Sequence, residues 1–451
     1  MQTLRLACLA LALGACGVNS EGNYQQMRNM LVQGKYADAA NFIEGKKESD
    51  YGKDNAVLYY MDKMMALHLA KRYQESNELV DKASERIEAL YTTSVSAQAG
   101  AMMTSDNVIP YEGEDFEKVL IHVVGAMNYV YMGDKDGALV EARRVEQELT
   151  ALNDRVLKGA KNEKDEAARQ ASQYSEDAFT RWLIGCLFET DGDSQSLNDA
   201  LVAYKKALEA YEKSYTPKYK TPVPMQLISD LLRSATALGF SDDVAAFKKK
   251  FPTVVYPTAA DTKGKGEVVL VHMNGEAPFK FEKHWEAIAD NKVIKVAYPE
   301  YRVKPKSVAY AILKIGTTEV KTELFEDINA IAIASLKDRM GRVKGKMIAR
   351  AIVKFAMAKG AEVAGNQASG GLGSLLGAAT SIVGAVTEKA DLRSWLLLPS
   401  SIDVAKAFVP PGKYPVTVTL HSATGGLIRT LKLGDVDVKP GKKAFVSVRS
   451  F

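Results

Sequence analysis

The chain has 451 residues, of which 47% are hydrophobic and 25% are charged. This length and composition predict two or three globular domains and exclude a chain that is disordered throughout. The 59 basic and 55 acidic side chains nearly balance, which gives a formal net charge of +4. Nucleic-acid binding is therefore not expected, because it requires a concentrated basic surface.

The N-terminus has the pattern of a secretory signal. Arg5 precedes an apolar run at residues 6–15, which is too short to span a bilayer. The run leads into the sequence LGAC at residues 13–16, which resembles a bacterial lipobox. A lipobox implies cleavage before Cys16, a diacylglycerol on its sulfur and an acyl group on the new amine. The alternative is an ordinary signal peptide in which the cysteine is incidental.

The residue after this cysteine indicates the destination. Gly17 stands where an Asp would favour retention in the inner membrane, so the motif predicts a lipoprotein of the outer membrane that faces the periplasm. Three acyl chains would anchor it firmly, since two already give stable anchoring. We therefore predict a signal peptide at residues 1–15 and a lipidated linker at residues 16–22.

The cysteines predict no internal disulfide. Cys8 leaves with the signal peptide and Cys16 carries the lipid, so that only Cys186 remains, within the apolar sequence RWLIGCLFE. A single thiol has no internal partner. Cys186 is therefore expected to be a small buried hydrophobic residue.

The region at residues 23–258 predicts a succession of helices, because its apolar residues recur at intervals of three and four. A degenerate repeat also runs through it, with a turn followed by a helix that places a small or medium-sized residue at positions 39, 76, 138, 200 and 244. Their spacing is irregular and wider than the period of about 34 in tetratricopeptide repeats. We predict a tetratricopeptide-like solenoid with insertions; an irregular helical array is the alternative.

One of these insertions is predicted at residues 92–115, where small and polar residues, a Pro and a Gly replace the helical pattern. A long loop of this kind is usually functional or disordered. It either lines the concave surface of the solenoid or is a simple excursion. Its chemically distinctive residues are Tyr111, Glu112 and Glu114.

The region at residues 264–451 predicts strands, which makes the fold class α+β. A hairpin is expected around Gly316, and three strands at the chain end are separated by turns at residues 425–426 and 440–441. These strands would form a small antiparallel sheet or sandwich. A helical insertion is predicted at residues 328–390.

The insertion contains a glycine-rich stretch at residues 364–388. A close-packed helical hairpin and an amphipathic hairpin that touches membrane or a partner are the main interpretations. A phosphate-binding loop is disfavoured, because the glycine spacing is one residue too long and no strand precedes it.

The residues show no catalytic or metal-binding constellation. The five histidines are isolated in sequence, and no nucleophile or P-loop motif occurs. Glu112 and Glu114 could imitate a glycosidase pair, but charged pairs on helix surfaces are common. We predict that the protein is not an enzyme and holds no metal and no cofactor besides the lipid on Cys16.

Three segments together resemble a family of uncharacterised bacterial outer-membrane lipoproteins with tetratricopeptide-like repeats. They lie at residues 111–145, 269–280 and 390–414. Members are often encoded beside lipoproteins of the CsgG and LpoB kind, which implies envelope proteins of that kind as partners. The resemblance implies no catalytic residue.

The resemblance also marks signature residues. They lie in the runs at residues 140–144 and 391–395. On physical grounds we expect Arg144 and Arg393 to pair with carboxylates that dock the two domains, and Trp395 to pack between the glycine-rich hairpin and the sheet. The predicted function is a scaffold or assembly factor for an envelope machine, with a homo-oligomer possible. The alternatives are a protein that binds or cleaves peptidoglycan and a membrane-active subunit that uses residues 364–388.

Overall fold

The structure is a computed structural model. It describes residues 21–101, 109–162, 174, 176–289, 292–341 and 389–451. The predicted signal peptide, the lipidation site Cys16 and the glycine-rich stretch at 364–388 lie outside the described residues.

The first part of the chain is helical. Its helices are α1 (Glu21–Val32), α2 (Tyr36–Gly45), α3 (Ala56–Leu69), α4 (Tyr73–Ala101), α5 (Asp115–Met132), α6 (Lys135–Asn162), α7 (Ala178–Glu189), α8 (Ser194–Ala210), α9 (Met225–Ala237), α10 (Ser241–Lys250) and the short α11 (Ala259–Thr262). A π-helical segment, Tyr211–Tyr219, continues α8. Each helix from α1 to α9 packs on the next one in sequence, as expected for consecutive helical hairpins.

The turns inside the five hairpins α1–α2, α3–α4, α5–α6, α7–α8 and α9–α10 share one backbone feature. Each contains a residue with positive φ, at Gly34, Lys71, Gly133, Gly192 and Gly239. A left-handed residue of this kind commonly ends a helix, and glycine adopts it without the steric cost of a side chain. Lys71 is the exception, since four of the five turns use glycine.

Small residues lie where the paired helices cross. The side chains at four of the predicted repeat positions are fully buried: Ala39, Ser76, Ala138 and Ala200. At Gly185 on α7, an added Cβ would lie only 2.3 Å from the ring of Tyr204 on α8. The sequence repeat therefore marks close helix contacts, because only small residues let two backbones approach this far.

The prediction of a loop at residues 92–115 is wrong for the first part of that range. Helix α4 continues to Ala101, because residues 92–99 contain neither Gly nor Pro and their small side chains do not interrupt a helix that is already formed. Residues 109–114 are irregular, as predicted, and lead into α5.

The second part of the chain forms ten strands within the described residues. They are β1 (Gly266–Asn274), β2 (Phe279–Ala289), β3 (Lys292–Arg302), β4 (Tyr310–Ile315), β5 (Thr318–Lys321), β6 (Glu323–Asp327), β7 (Ser401–Val409), β8 (Gly412–His421), β9 (Leu427–Val438) and β10 (Lys443–Arg449). Helix α12 follows β6 and is described over residues 328–341. One sheet has the order β10-β1-β7-β6, a second has the order β5-β4-β8-β9, and β2 and β3 pair as a hairpin.

The first sheet is the middle layer of the molecule. On β1, Val268 and Leu270 belong to the core shared with the second sheet, whereas Val269 and Val271 belong to the core shared with the helices. Successive side chains of a strand point to opposite faces. Because every residue of β1 is buried, helices cover one face of this sheet and the second sheet covers the other.

Several expectations for the strands need correction. The hairpin around Gly316 is confirmed, since Ile315 pairs with Thr318. The purely antiparallel arrangement is wrong, because β10 leaves the second sheet and pairs in parallel with β1. Strands β2, β6 and β7 were not predicted; β7 is buried on both faces, so its sequence SIDVAKAFV lacks a clean alternation of apolar and polar residues.

The first helix of each hairpin is generally the one that contacts the β region. Contacts from α5, α7 and α9 include Phe116 against Tyr301, Trp182 against Phe325, with ring centroids 4.6 Å apart, and Gln226, whose Nε2 donates to the Val404 carbonyl at 3.0 Å. None of the helices within the described ranges is long and apolar enough to cross a membrane.

Candidate functional site: a buried junction between the helical and β regions

Glu114 begins α5 and lies at the meeting point of the helical and β regions. Gly113, with φ of +84°, turns the chain into the helix. The backbone N–H of Glu114 donates to the Glu117 carboxylate at 2.9 Å, which satisfies one of the amide groups that a helix start leaves free. The two carboxylates are thereby fixed side by side.

Two cations from distant parts of the chain pair with Glu114. They are Lys280 on β2 and Arg339 on α12. The Glu114 and Lys280 side chains are only 8% and 3% exposed. Burial opposes ionisation of Glu114, but the charges of Arg339 and Lys280 outweigh it and hold its pKa at about 2. Glu114 is therefore a buried carboxylate that ties the first turn of α5 to the β region.

Glu117 has the opposite electrostatic behaviour. Burial and the neighbouring Glu114 charge raise the pKa of its carboxyl group. The Tyr111 hydroxyl donates to it at 2.6 Å, and the backbone N–H of Trp395 donates to its other oxygen at 2.7 Å. This carboxyl group anchors both the loop before α5 and the segment before β7.

Arg393 joins the same place from the C-terminal side. Its guanidinium pairs with Asp391 at 2.7 Å and donates to Asn55 Oδ1 and to the Ile109 carbonyl, both at 3.0 Å. It also lies over the Tyr111 ring, 5.1 Å from the centroid. Arg393 thus docks the segment before β7 onto the helical region.

We call these residues the Glu114 junction: Tyr111, Glu114, Glu117, Lys280, Arg339, Arg393 and Trp395. The segments at residues 111–145, 269–280 and 390–414 each contribute to it. Four of the residues singled out in the sequence meet here, and Trp395 is buried, with 1% of its surface exposed. Lys280, Arg339 and Glu117 were not singled out.

Two other predicted residues lie elsewhere. Glu112 is half exposed, with its carboxylate 3.6 Å from Lys118 Nζ. Both partners that the structure gives Arg144 belong to the helical region, with Asp81 at 2.7 Å and Glu141 at 2.8 Å. The expected role of Arg144 between the two domains is therefore wrong: its two carboxylate partners lie on α4 and on its own helix.

Glu112 and Glu114 do not have the properties of a glycosidase pair. Such a pair needs one carboxyl group with a raised pKa that can reach substrate. Glu114 has a lowered pKa and is held by two cations, while Glu112 faces solvent. No group of three or more His, Cys, Asp or Glu side chains placed to hold a metal occurs among the residues that the structure describes.

A carboxyl group with a strongly raised pKa lies in the core. Burial and the nearby Asp177 raise the pKa of Glu326 on β6 well above its usual range. The Tyr215 hydroxyl donates to it at 2.9 Å. Glu326 has no exposed surface, so its role is to link β6 to the π-helical segment after α8.

A second set of buried charges also joins the helices to the first sheet. We call it the Glu267 network: Glu189 on α7, Asp230 and Arg233 on α9, Glu267 on β1, Lys406 on β7 and Lys443 on β10. It contains three acids and three bases, and each of its side chains is at most 13% exposed. Lys406 Nζ lies 2.6 Å from Asp230 and 2.8 Å from Glu267.

Local sequence patterns did not indicate this network. In a strand, a single Glu or Lys between apolar residues usually points to solvent, and a helical Asp and Arg three residues apart usually form a surface pair. These side chains are buried because the first sheet lies between the helices and the second sheet. The prediction for Cys186 is confirmed: it is free and buried beside this network, and burial raises the pKa of its thiol to about 12.

Comparison with known proteins gives only weak similarity. No family model and no curated protein matches the chain. BtubC (BKLC) from P. vanneervenii is 13% identical over 53% of this chain and 80% of its own, with a TM-score of 0.35. The Rap conjugation gene regulator of the plasmid pLS20, solved with the Phr* peptide, is 13% identical over 55% of this chain and 60% of its own, with a TM-score of 0.29. The similarity thus spans less than two thirds of the regulator, and these scores define no family or function for this chain.

Proposed function

We propose that this protein is a lipoprotein of the outer membrane that faces the periplasm and acts as a non-enzymatic scaffold for envelope proteins. The motif at residues 13–16 supports the lipid anchor on Cys16. Anchoring confines the protein to a surface, where a high effective concentration makes weak contacts productive. Proteins of the CsgG and LpoB kind are the proposed partners.

The scaffold proposal rests on a difference between the first and second helices of the hairpins in their contacts and exposed residues. Helices α5, α7 and α9 contact the β region, whereas α6 and α8, the second helices of their hairpins, each carry an exposed valine. On α6 and α8, Val140 and Val202 are 44% and 46% exposed. Both stand two residues after the small residue of their repeat, Ala138 or Ala200. Val140 and Val202 are thus equivalent exposed apolar residues on two neighbouring hairpins, and such residues are suited to contact with a protein partner.

We further propose that the five hairpins are degenerate tetratricopeptide-like repeats. The left-handed residues at their turns and the buried small residues at their crossings support this proposal. In this interpretation the β region covers the first helices of the repeats. The free surface is then the outer one, and the predicted insertion before α5 serves docking within the chain.

The test is site-specific photo-crosslinking in cells. A crosslinking amino acid replaces Val140 or Val202, and a matched control places it at Lys439, whose side chain is 71% exposed on the β region. We expect one envelope protein to be captured from both helical positions and not from the control. A Cys16→Ser copy of each variant should capture less of it, because the anchor is lost.

Two outcomes would contradict the proposal. If no protein is captured at Val140 or Val202 while peptidoglycan fragments copurify with the chain, the cell-wall alternative gains support. If the Cys16→Ser copies capture the same partner equally well, the membrane anchor has no part in the function.

A further inference from the structure

A cavity of about 350 Å³ lies between the helical region and the open edge of the β sandwich. Its walls come from the α1–α2 and α3–α4 turns, from β9 and β10, and from the C-terminal Phe451. This volume is at the lower end of the range for small-molecule sites. It suits a small ligand and is too small for a whole diacyl lipid.

The lining of this cavity is apolar and basic. Leu31, Leu69 and Leu431 contribute apolar surface. The charged side chains in the lining are all cations: Lys71, Arg429, Lys432 and Arg449. A cavity with an apolar wall and an excess of positive charge is complementary to an anion with an apolar body.

Arg449 is the buried charge of this site. It is 8% exposed, and its guanidinium donates to backbone carbonyls, including those of Met273 at 3.1 Å and Leu398 at 3.3 Å. Its Nε has no hydrogen-bond partner, and the described part of the chain gives this guanidinium no ion pair. The nearby Glu276 is engaged by Arg28 and Lys304. Four backbone carbonyls and the ring of Phe451, 4.2 Å away, compensate part of this charge. No carboxylate pairs with it within the described residues, and a bound anion would supply one.

Lys71, which lines the same cavity, has an unusual backbone conformation. Its φ of +59° is the conformation for which the four other hairpin turns use glycine. A lysine pays a steric penalty there that glycine avoids. Where the other four turns have no side chain, this one therefore adds a cation to the lining of the cavity.

We propose that this cavity binds a small amphipathic carboxylate, with its anionic head near Arg449 and Lys71 and its acyl chain against the leucines of the wall. Charge-assisted hydrogen bonds to a carboxylate are about twice as strong as neutral ones, so the head supplies selectivity and the chain supplies burial. This inference is independent of the scaffold function.

The test is titration calorimetry on the full-length chain carrying Cys16→Ser, purified without detergent. The probes are octanoate and 1-octanol, which share a chain and differ in head charge, together with inorganic phosphate. We expect octanoate to bind at least about tenfold more tightly than 1-octanol, a difference of about 1.4 kcal/mol. Phosphate alone should bind more weakly than octanoate.

The variants separate binding from folding. Lys71→Gly should weaken octanoate binding severalfold without lowering the melting temperature, because glycine suits the turn. Lys432→Ala should also weaken binding, while Lys413→Ala, at a side chain that is 72% exposed on β8, should leave it unchanged. Equal affinity for octanoate and 1-octanol, no octanoate binding, or unchanged affinity in both Lys71→Gly and Lys432→Ala would overturn the proposal.

Discussion

The Glu114 junction and the Glu267 network both hold the helical region against the β region, but they are assembled differently. In the junction one carboxylate, Glu114, faces two cations that lie 166 and 225 residues further along the chain. In the network three acids alternate with three bases, and Lys406 touches both Asp230 and Glu267. Loss of Glu114 therefore leaves two charges uncompensated, whereas loss of one network member leaves its neighbours with other partners.

Two sets of buried ion pairs can therefore contribute unequally to the stability of the same contact between regions. Breaking a buried pair is costly chiefly because a charge is left without a partner. The junction concentrates its negative charge on one side chain, while the network distributes it.

The largest effect is expected for Glu114→Gln. We expect this change to lower the free energy of unfolding by about 3–5 kcal/mol, because Lys280 and Arg339 lose their counter-ion. The control is Glu319→Gln on β5, where the carboxylate and its partner Lys314 are both more than half exposed; it should change the free energy of unfolding by less than about 0.5 kcal/mol. Chemical denaturation measures both; equal effects would show that burial of the charge is not what matters.

Acid should weaken the junction through the same carboxylate. The pKa of Glu114 is about 2 in the folded protein and about 4.3 when unfolded. Its stabilisation is therefore complete above about pH 4.3 and is lost as the pH falls towards 2, in total of order 3 kcal/mol. The stability difference between the wild type and Glu114→Gln should narrow over this interval. A difference that is constant down to pH 3 would contradict the account.

A smaller loss is expected in the network. Lys406→Met should lower the free energy of unfolding by about 2–3 kcal/mol, because Glu267 keeps Lys443 and Asp230 keeps Arg233. Lys413→Met, on β8 in the second sheet, is the exposed control and should be nearly neutral. A loss larger than that of Glu114→Gln would reverse the proposed ranking.

The two signature arginines give the smallest effects and separate docking from surface pairing. Arg393→Ala should cost about 2 kcal/mol, because its side chain is 13% exposed and holds several charge-assisted hydrogen bonds. Arg144→Ala should cost less than about 1 kcal/mol, since its side chain is 38% exposed. Thermal unfolding of the two variants measures this difference. If Arg393→Ala left the stability unchanged, Arg393 would have no docking role.

The sequence predicted much of the fold, and for a physical reason. Periodicity located the helices, and turn residues such as Gly316 located hairpins, because both signals are local. The crossover that makes β10 parallel to β1 was not predictable from them. It depends on which sheet edge the last strand reaches, which is a property of the whole β region.

The candidate site was predicted only in part for the same reason. Glu114 and Tyr111 stood out because a chemically distinctive segment interrupted helical periodicity, and Arg393 and Trp395 stood out by resemblance. Arg339 gave no signal, since an arginine on a helix usually faces solvent and its partner lies 225 residues away. Pairings over such distances follow from tertiary packing, to which local sequence patterns are blind.

A double-mutant cycle of Glu114→Gln and Lys280→Met tests whether Glu114 ties the helical region to the β region. We expect the two changes to be strongly non-additive, with a coupling of about 2 kcal/mol or more in the free energy of unfolding, because each removes the partner of the other. Additive effects within about 0.5 kcal/mol would show that the two side chains contribute independently, and the junction would not be what joins the helical and β regions.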